Sequence, residues 1–97
     1  MLESLDVASF ALRLGETFVL EAGDGTELPL TLSEARVWGS SAGGKREPFR
    51  LLFHGPVKPW VPQRTYKLRN ETLGTEEIFL VPIGPDADGM RYEAIFS

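Results

Sequence analysis

The sequence predicts a small antiparallel β-barrel or a compact sandwich of six or seven strands, with one short N-terminal helix. Four segments of the second half are rich in β-branched, aromatic and leucine residues and are separated by Gly, Pro, Asn or Asp: FRLLFHGP, RTYKLRN, EEIFLVPIG and MRYEAIF. Residues 16–38 also alternate with a period of two. With 97 residues, 42% of them hydrophobic, the chain can bury one core, so we predict a single domain over 1–97.

The first element is predicted to be a short helix over residues 6–14. Asp6 or Ser4 can serve as its N-cap, and Gly15 is a natural stop. A helix this short is marginal alone, so its apolar stripe must dock on the sheet. The residues at helical spacing in that stripe are Val7, Phe10 and Leu14.

Two strands are predicted next, over residues 16–22 and 26–38, joined by the Gly23-Asp24-Gly25 turn. The leucines of the second strand occupy even positions as far as Leu32, after which apolar residues take odd positions. A slip of one residue would turn every later side chain to the opposite face. We therefore predict a β-bulge near Ser33-Glu34.

The stretch 39–47, GSSAGGKRE, is polar and rich in Gly and Ser, which predicts a flexible loop. Four strands follow it, over residues 48–54, 64–69, 75–83 and 90–96. The segment 78–81 is apolar at every position, which indicates a strand covered on both faces. The residues 84–89, GPDADG, are predicted to form a six-residue hairpin loop.

Composition limits the classes of function. The chain has no cysteine, so disulfides, thiolate metal sites and cysteine nucleophiles are excluded. The formal net charge of −4 disfavours binding to nucleic acid. The N-terminal residues form neither a signal peptide nor a long apolar run, so we expect a cytoplasmic protein without a membrane span.

A family resemblance rests on PFRLLFHGP, PQRTYKLRNETLG, EIFLVPIGPDADGMRYEAIF and the opening FALRLGETFVLEAGDG. These segments resemble a family of small bacterial proteins of about 100 residues that is known as a domain of unknown function. The resemblance extends over nearly the whole chain and is most specific in LVPIGPDADGMRYEAIF. It implies a short β-rich bacterial module, and it brings no activity and no catalytic residues.

Two features of the sequence could have a chemical role, the DADG segment and His54. For both, a purely structural role is favoured. The DADG segment shares its DxDG spacing with calcium loops, but it lacks their further ligands and the closing glutamate, so we expect no metal. His54 is the single histidine, and the sequence places neither a nucleophile nor an acid beside it. We accordingly predict no catalytic residue and no cofactor.

Partner binding is the function that the remaining residues favour. Trp60 lies between Pro59 and Pro62 in a proline-stiffened connection, and tryptophan is enriched at interface hot spots. An equally good interpretation is that Trp60 covers one end of the core. A basic face on neighbouring strands near Trp60 is also predicted, formed by His54, Arg50, Arg64, Lys67 and Arg69.

The sequence therefore predicts a non-catalytic binding or assembly module with a protein partner or a homo-oligomer. Its predicted contacts are the 56–62 connection and an exposed strand edge. Two alternatives stay open at this stage. One is a barrel that binds a small ligand in its interior, and the other is an enzyme that uses His54 with a carboxylate.

Overall fold

The computed structural model describes residues 6–37 and 48–96, and its six strands form one closed antiparallel barrel in the order β1-β2-β3-β6-β5-β4. The mainly β fold class is confirmed, and of the two predicted architectures the barrel is the one observed. The predicted loop 39–47 and Trp38 lie outside the described residues. The elements are α1 (Val7–Ala11), β1 (Thr17–Glu21), β2 (Glu27–Val37), β3 (Phe49–Gly55), β4 (Arg64–Asn70), β5 (Gly74–Asp86) and β6 (Gly89–Phe96).

The barrel closes where β1 pairs with β4, through Val19↔Arg69, Leu20↔Leu68 and Glu21↔Lys67. Alternate residues of each strand point inward, as the period of two requires. Side chains that fill the interior include Phe18, Leu20, Leu30, Leu32, Phe49, Leu51, Phe53, Leu68, Ile78, Leu80 and Tyr92, each at most 2% exposed. The interior is thus a packed hydrophobic core.

A β-bulge interrupts the pairing of β2 with β3, as the sequence predicted. Leu32 faces Phe53 and Glu34 faces Leu52, so Ser33 is the additional residue. The bulge corrects the slip in the apolar pattern, because Leu32 remains buried and Ala35 still packs against the core beyond it. It also places the Ser33 side chain on the outer surface.

The helix is shorter than the predicted 6–14, since α1 ends at Ala11. Asp6 is its N-cap, and its Oδ1 accepts a hydrogen bond from the Ser9 N–H at 3.1 Å. Leu14 does not join the apolar stripe, and this part of the prediction is wrong: its side chain is 49% exposed. The chain leaves the helix in a turn, and Gly15, at φ +84°, donates its N–H to the Leu32 carbonyl.

Phe10 closes one end of the barrel. Its ring is fully buried, and its centroid lies 5.9 Å from those of Phe49 and Phe96 and 6.4 Å from that of Phe18. Phe18 is the second residue of β1, Phe49 is the first of β3 and Phe96 is the last of β6. The short helix is therefore held by this aromatic contact rather than by its own length.

The β5–β6 hairpin differs from the prediction of a six-residue loop. Its ladder continues to Asp86↔Gly89, which leaves only Ala87 and Asp88 in the turn. A second register shift between Pro82 and Gly84 makes this possible, because Gly84 takes φ +100° and the strand continues past the prolines. Asp86 caps the turn, with the Asp88 N–H donating to its Oδ1 at 2.8 Å.

The prediction that residues 78–81 are covered on both faces is also wrong. Ile78 and Leu80 are buried, but Phe79 between them is 51% exposed on the outer surface. In a closed barrel with a single layer of strands, only the inner face is covered. Ile95 on β6, also on the outside, is 48% exposed.

Candidate functional site

The connection from β3 to β4, residues 56–63, is here called the Trp60 loop, and it is anchored to the core at two points. Val61 is buried, and its N–H donates to the Tyr92 hydroxyl at 3.0 Å. The Tyr66 hydroxyl donates to the Pro62 carbonyl at 2.6 Å. The loop therefore covers the barrel end opposite to Phe10, with Val61 as the covering side chain.

Trp60 itself points away from the core. Its side chain is 52% exposed, and Val57 in the same loop is 46% exposed. Of the two interpretations that the sequence left open, the structure has Trp60 on the surface, because the neighbouring Val61 takes the inward position. Pro59 follows a cis peptide bond from Lys58, and both Pro59 and Pro62 are exposed.

Burial raises the pKa of both Tyr66 and Tyr92 above the usual value of 10.0. Both hydroxyls consequently remain protonated at neutral pH. Tyr66 keeps the proton that it donates to Pro62, and Tyr92 stays a neutral acceptor for Val61. The two anchors of the Trp60 loop do not depend on pH in the physiological range.

The closed sheet leaves parts of its strands with a neighbour on one side only. Among them, residues 34–37 of β2 pair with β3 alone, and residues 81–86 of β5 pair with β6 alone. Where a strand has neighbours on both sides, a partner cannot add a strand to it. The described residues therefore offer both the Trp60 loop and short strand edges at these two segments.

The predicted common basic face is wrong, because β3 and β4 are not neighbours. Two strands, β6 and β5, lie between them in the barrel, so Arg50 and His54 are separated from Arg64, Lys67 and Arg69. Arg50 and Arg69 are also paired with carboxylates. Arg50 contacts Glu34 at 2.7 Å and Glu93 at 2.6 Å, and Arg69 contacts Glu21 at 2.7 Å.

His54 is the centre of a polar cluster on the outer surface of β3. Its Nδ1 lies 2.6 Å from the Ser33 Oγ, and its Nε2 lies 2.9 Å and 3.1 Å from the two carboxylate oxygens of Asp86. The His54 side chain is only 12% exposed. The imidazole is thus held at both nitrogens, by a hydroxyl and by a carboxylate.

Three separate elements bring this cluster together. The bulge of β2 presents Ser33, and the β5–β6 turn presents Asp86. The pairing of His54 with Arg91 and of Gly55 with Met90 sets β3 beside that turn. Gly89 allows this approach, because a Cβ at Gly89 would collide with the carbonyl oxygen of Gly55.

The pKa of Asp86 is lowered from its ordinary value of 3.8, first by the hydrogen bond with His54 and then by that from the Asp88 N–H. Asp86 is therefore an anion at neutral pH. Sequence reasoning considered His54 and the DxDG motif separately, and it found no nucleophile or acid beside His54. The available signal was the predicted bulge at Ser33, which placed a serine hydroxyl on the outer face of the neighbouring strand.

The resemblance that the sequence suggested is confirmed by comparison with known families. The family model for DUF6916, a domain of unknown function, matches residues 5–96. The chain belongs to this family. No curated protein and no solved structure gave a match. Within the described residues of this DUF6916 member, no helix has the length and apolar content to cross a membrane.

Proposed function

We propose that this DUF6916 domain is a non-catalytic module that binds a protein partner through the Trp60 loop. The observation that supports the proposal is the opposite placement of two adjacent residues. Val61 is fixed in the core, and Trp60 is 52% exposed beside it. A large aromatic on an anchored loop contributes contact area with little further loss of conformational entropy on binding.

The side chains of the Trp60 loop indicate what kind of partner surface would fit it. Trp60 and Val57 supply apolar surface, and Lys58 between them supplies a positive charge in a chain of net charge −4. Electrostatic complementarity favours an acidic rim opposite a lysine. The partner surface that fits the loop is therefore an apolar recess for the indole, bordered by carboxylates.

Affinity capture from the cells that naturally produce the protein tests the proposal with three forms of the chain: wild type, Trp60→Ala and Leu12→Ala. Leu12 is the matched control, because it is 74% exposed and lies beside α1 at the opposite barrel end. A protein captured by wild type and Leu12→Ala but not by Trp60→Ala is then purified and titrated. Loss of a hot-spot contact of about 2 kcal/mol corresponds to a roughly 30-fold weaker affinity.

Two results would contradict binding through the Trp60 loop. If the three forms capture the same proteins, or if purified partners bind Trp60→Ala as tightly as wild type, the loop is not the contact. Sedimentation of the purified chain distinguishes a second copy from a different partner. A self-association that Trp60→Ala abolishes identifies the partner as the chain itself.

A second candidate function is acyl-ester hydrolysis at Ser33, and the contacts of His54 favour it. In the tautomer with the proton on Nε2, Asp86 holds that N–H, and Nδ1 is free to accept the Ser33 proton at 2.6 Å. The geometry supports this function less than partner binding. Two surface grooves among the described residues lie away from Ser33. One is lined by residues that include Glu16, Thr17, Asn70 and Thr72, and the other by residues that include Glu21, Arg64 and Lys67.

Covalent labelling by a fluorophosphonate tests the hydrolase directly. Labelling of Ser33 in wild type that His54→Gln abolishes would support a serine nucleophile. Absence of labelling, together with unchanged ester hydrolysis in Ser33→Ala, would contradict it.

The third alternative, a small ligand inside the barrel, receives no support from the geometry, because core side chains occupy the interior.

A further inference from the structure

We propose that His54, Asp86 and Asp88 form a site for a divalent transition-metal ion of the zinc class. One ligand atom from each of the three residues lies within 4.8 Å of the other two. Ligands about 2.0–2.2 Å from a common zinc ion lie roughly 3–4 Å from one another. His54 Nε2 lies 2.9 and 3.1 Å from the two Asp86 oxygens, and Asp88 completes the group within 4.8 Å.

The position of the ligands is built into the fold. His54 comes from β3, and the two aspartates come from a turn that the β3–β6 pairing and Gly89 hold against the end of β3. Asp86 Oδ1 accepts from the Asp88 N–H at 2.8 Å, which keeps the carboxylate in the turn beside His54. On metal binding, the Asp86 carboxylate has to give up its hydrogen bond with His54 Nε2, where the ion would lie, and the exposed Asp88 side chain has to turn toward the ion.

Ser33 supplies the supporting hydrogen bond. A metal-bound Nε2 requires the imidazole proton on Nδ1, where Ser33 Oγ lies 2.6 Å away as an acceptor. Ser33 Oγ in turn lies 3.4 Å from the Thr31 carbonyl, to which it can donate its own proton in this tautomer of His54. A hydrogen bond at the second nitrogen is the usual means by which proteins orient a ligating histidine.

The donor set determines the class of ion. One imidazole with two carboxylates suits zinc and neighbouring first-row ions, and calcium prefers a shell of oxygen atoms only. Three protein ligands leave a coordination position for water. Arg91 opposes binding to some degree, because its Nε lies 4.0 Å from Asp86 Oδ2.

Titration of the tag-free, chelator-treated chain with Zn²⁺ tests the site, by calorimetry and by ¹⁵N spectra of the imidazole. His54 is the single histidine, so its nitrogen signals are assigned without ambiguity. We expect saturable one-to-one binding with the imidazole proton on Nδ1. Asp88→Asn removes a ligand at an exposed position that does not endanger folding, and it should weaken binding at least tenfold. Ser33→Ala should weaken it by about tenfold.

Glu71→Gln is the control, since Glu71 is an exposed acid in the turn between β4 and β5. It should bind zinc as wild type does. Lack of saturation in wild type, or equal affinity in wild type and Asp88→Asn, would overturn the site. So would a proton on Nε2 at saturating zinc, the tautomer that hydrolysis at Ser33 requires.

Discussion

The backbone N–H of Val61 donates to the hydroxyl of Tyr92 at 3.0 Å, so a core side chain of β6 holds the loop that carries Trp60. Tyr92 is fully buried, and Val61 is only 9% exposed. A buried N–H without an acceptor costs free energy, because water cannot replace the lost partner. The position of the Trp60 loop is thus linked to the packing of the barrel core.

Tyr92→Phe should reduce the free energy of unfolding by about 1–3 kcal/mol, because the Val61 N–H then loses its acceptor in a buried position. Denaturant titration followed by circular dichroism measures the change. Tyr66→Phe is the control: its partner, the carbonyl of the exposed Pro62, can bind water instead, so a loss of about 1 kcal/mol or less is expected. Equal losses in the two variants would contradict the burial argument.

Arg50→Ala should destabilise the fold by roughly 1–2 kcal/mol, more than an ordinary surface substitution. Arg50 bridges Glu34 and Glu93, and all three side chains are 27–30% exposed, so removal of the cation leaves two carboxylates facing each other. Arg36→Ala, at a cation that is 67% exposed, should cost about 0.5 kcal/mol or less. Urea unfolding at low salt measures both losses. Similar losses of unfolding free energy in Arg50→Ala and Arg36→Ala would show that the bridge from Arg50 to Glu34 and Glu93 adds no stability.

Asp24→Ala should lower stability at neutral pH but have little effect in strong acid. The Asp24 carboxylate accepts from the Thr26 N–H at 2.9 Å, and this contact lowers its pKa below the ordinary 3.8. A lowered pKa in the folded state stabilises that state above pH 3.8, and the contribution disappears as the pH falls through the folded-state value. Unfolding at pH 7 and at about pH 2 measures the difference. A penalty independent of pH would contradict this assignment.

Deletion of Ser33 should leave a folded barrel. The residues on either side, Leu32 and Glu34, face the consecutive partners Phe53 and Leu52, so removal of the extra residue keeps every later side chain on its own face. Deletion of Thr31 from the regular part of the strand should instead turn Leu32 outward and place the polar Ser33 in the core, which strongly destabilises the fold. Amide NMR spectra of the two deletion variants show whether each one is folded. An unfolded Ser33 deletion variant would contradict the prediction.

Local patterns were sufficient to predict much of the fold. The alternation of leucines as far as Leu32 predicted both the inner face and the bulge, because each follows from the two-residue period of a strand. Asp6 was recognisable as an N-cap for the same local reason. The exposure of Phe79 was missed because an apolar segment does not reveal whether its second face is covered.

The candidate sites depend on pairings between distant strands, which no local pattern contains. His54 meets Asp86 only because β6 lies between β3 and β5, and that same strand order separates Arg50 from Lys67. The length of the β5–β6 turn depended on the shift at Gly84, where the sequence showed only a cluster of turn-forming residues. The sequence therefore identified Trp60 and His54 as residues of interest, and the strand order determined their neighbours.

The ring contact between Phe10 and Phe96 has a practical consequence for presenting the protein on a surface. These residues lie close to the two ends of the described chain, and the Trp60 loop is at the opposite end of the barrel. A linker attached before residue 6 or after residue 96 would orient the immobilised domain with Trp60 toward the solution. Either attachment should yield the same binding capacity in a sensor experiment, and neither should obstruct an incoming protein.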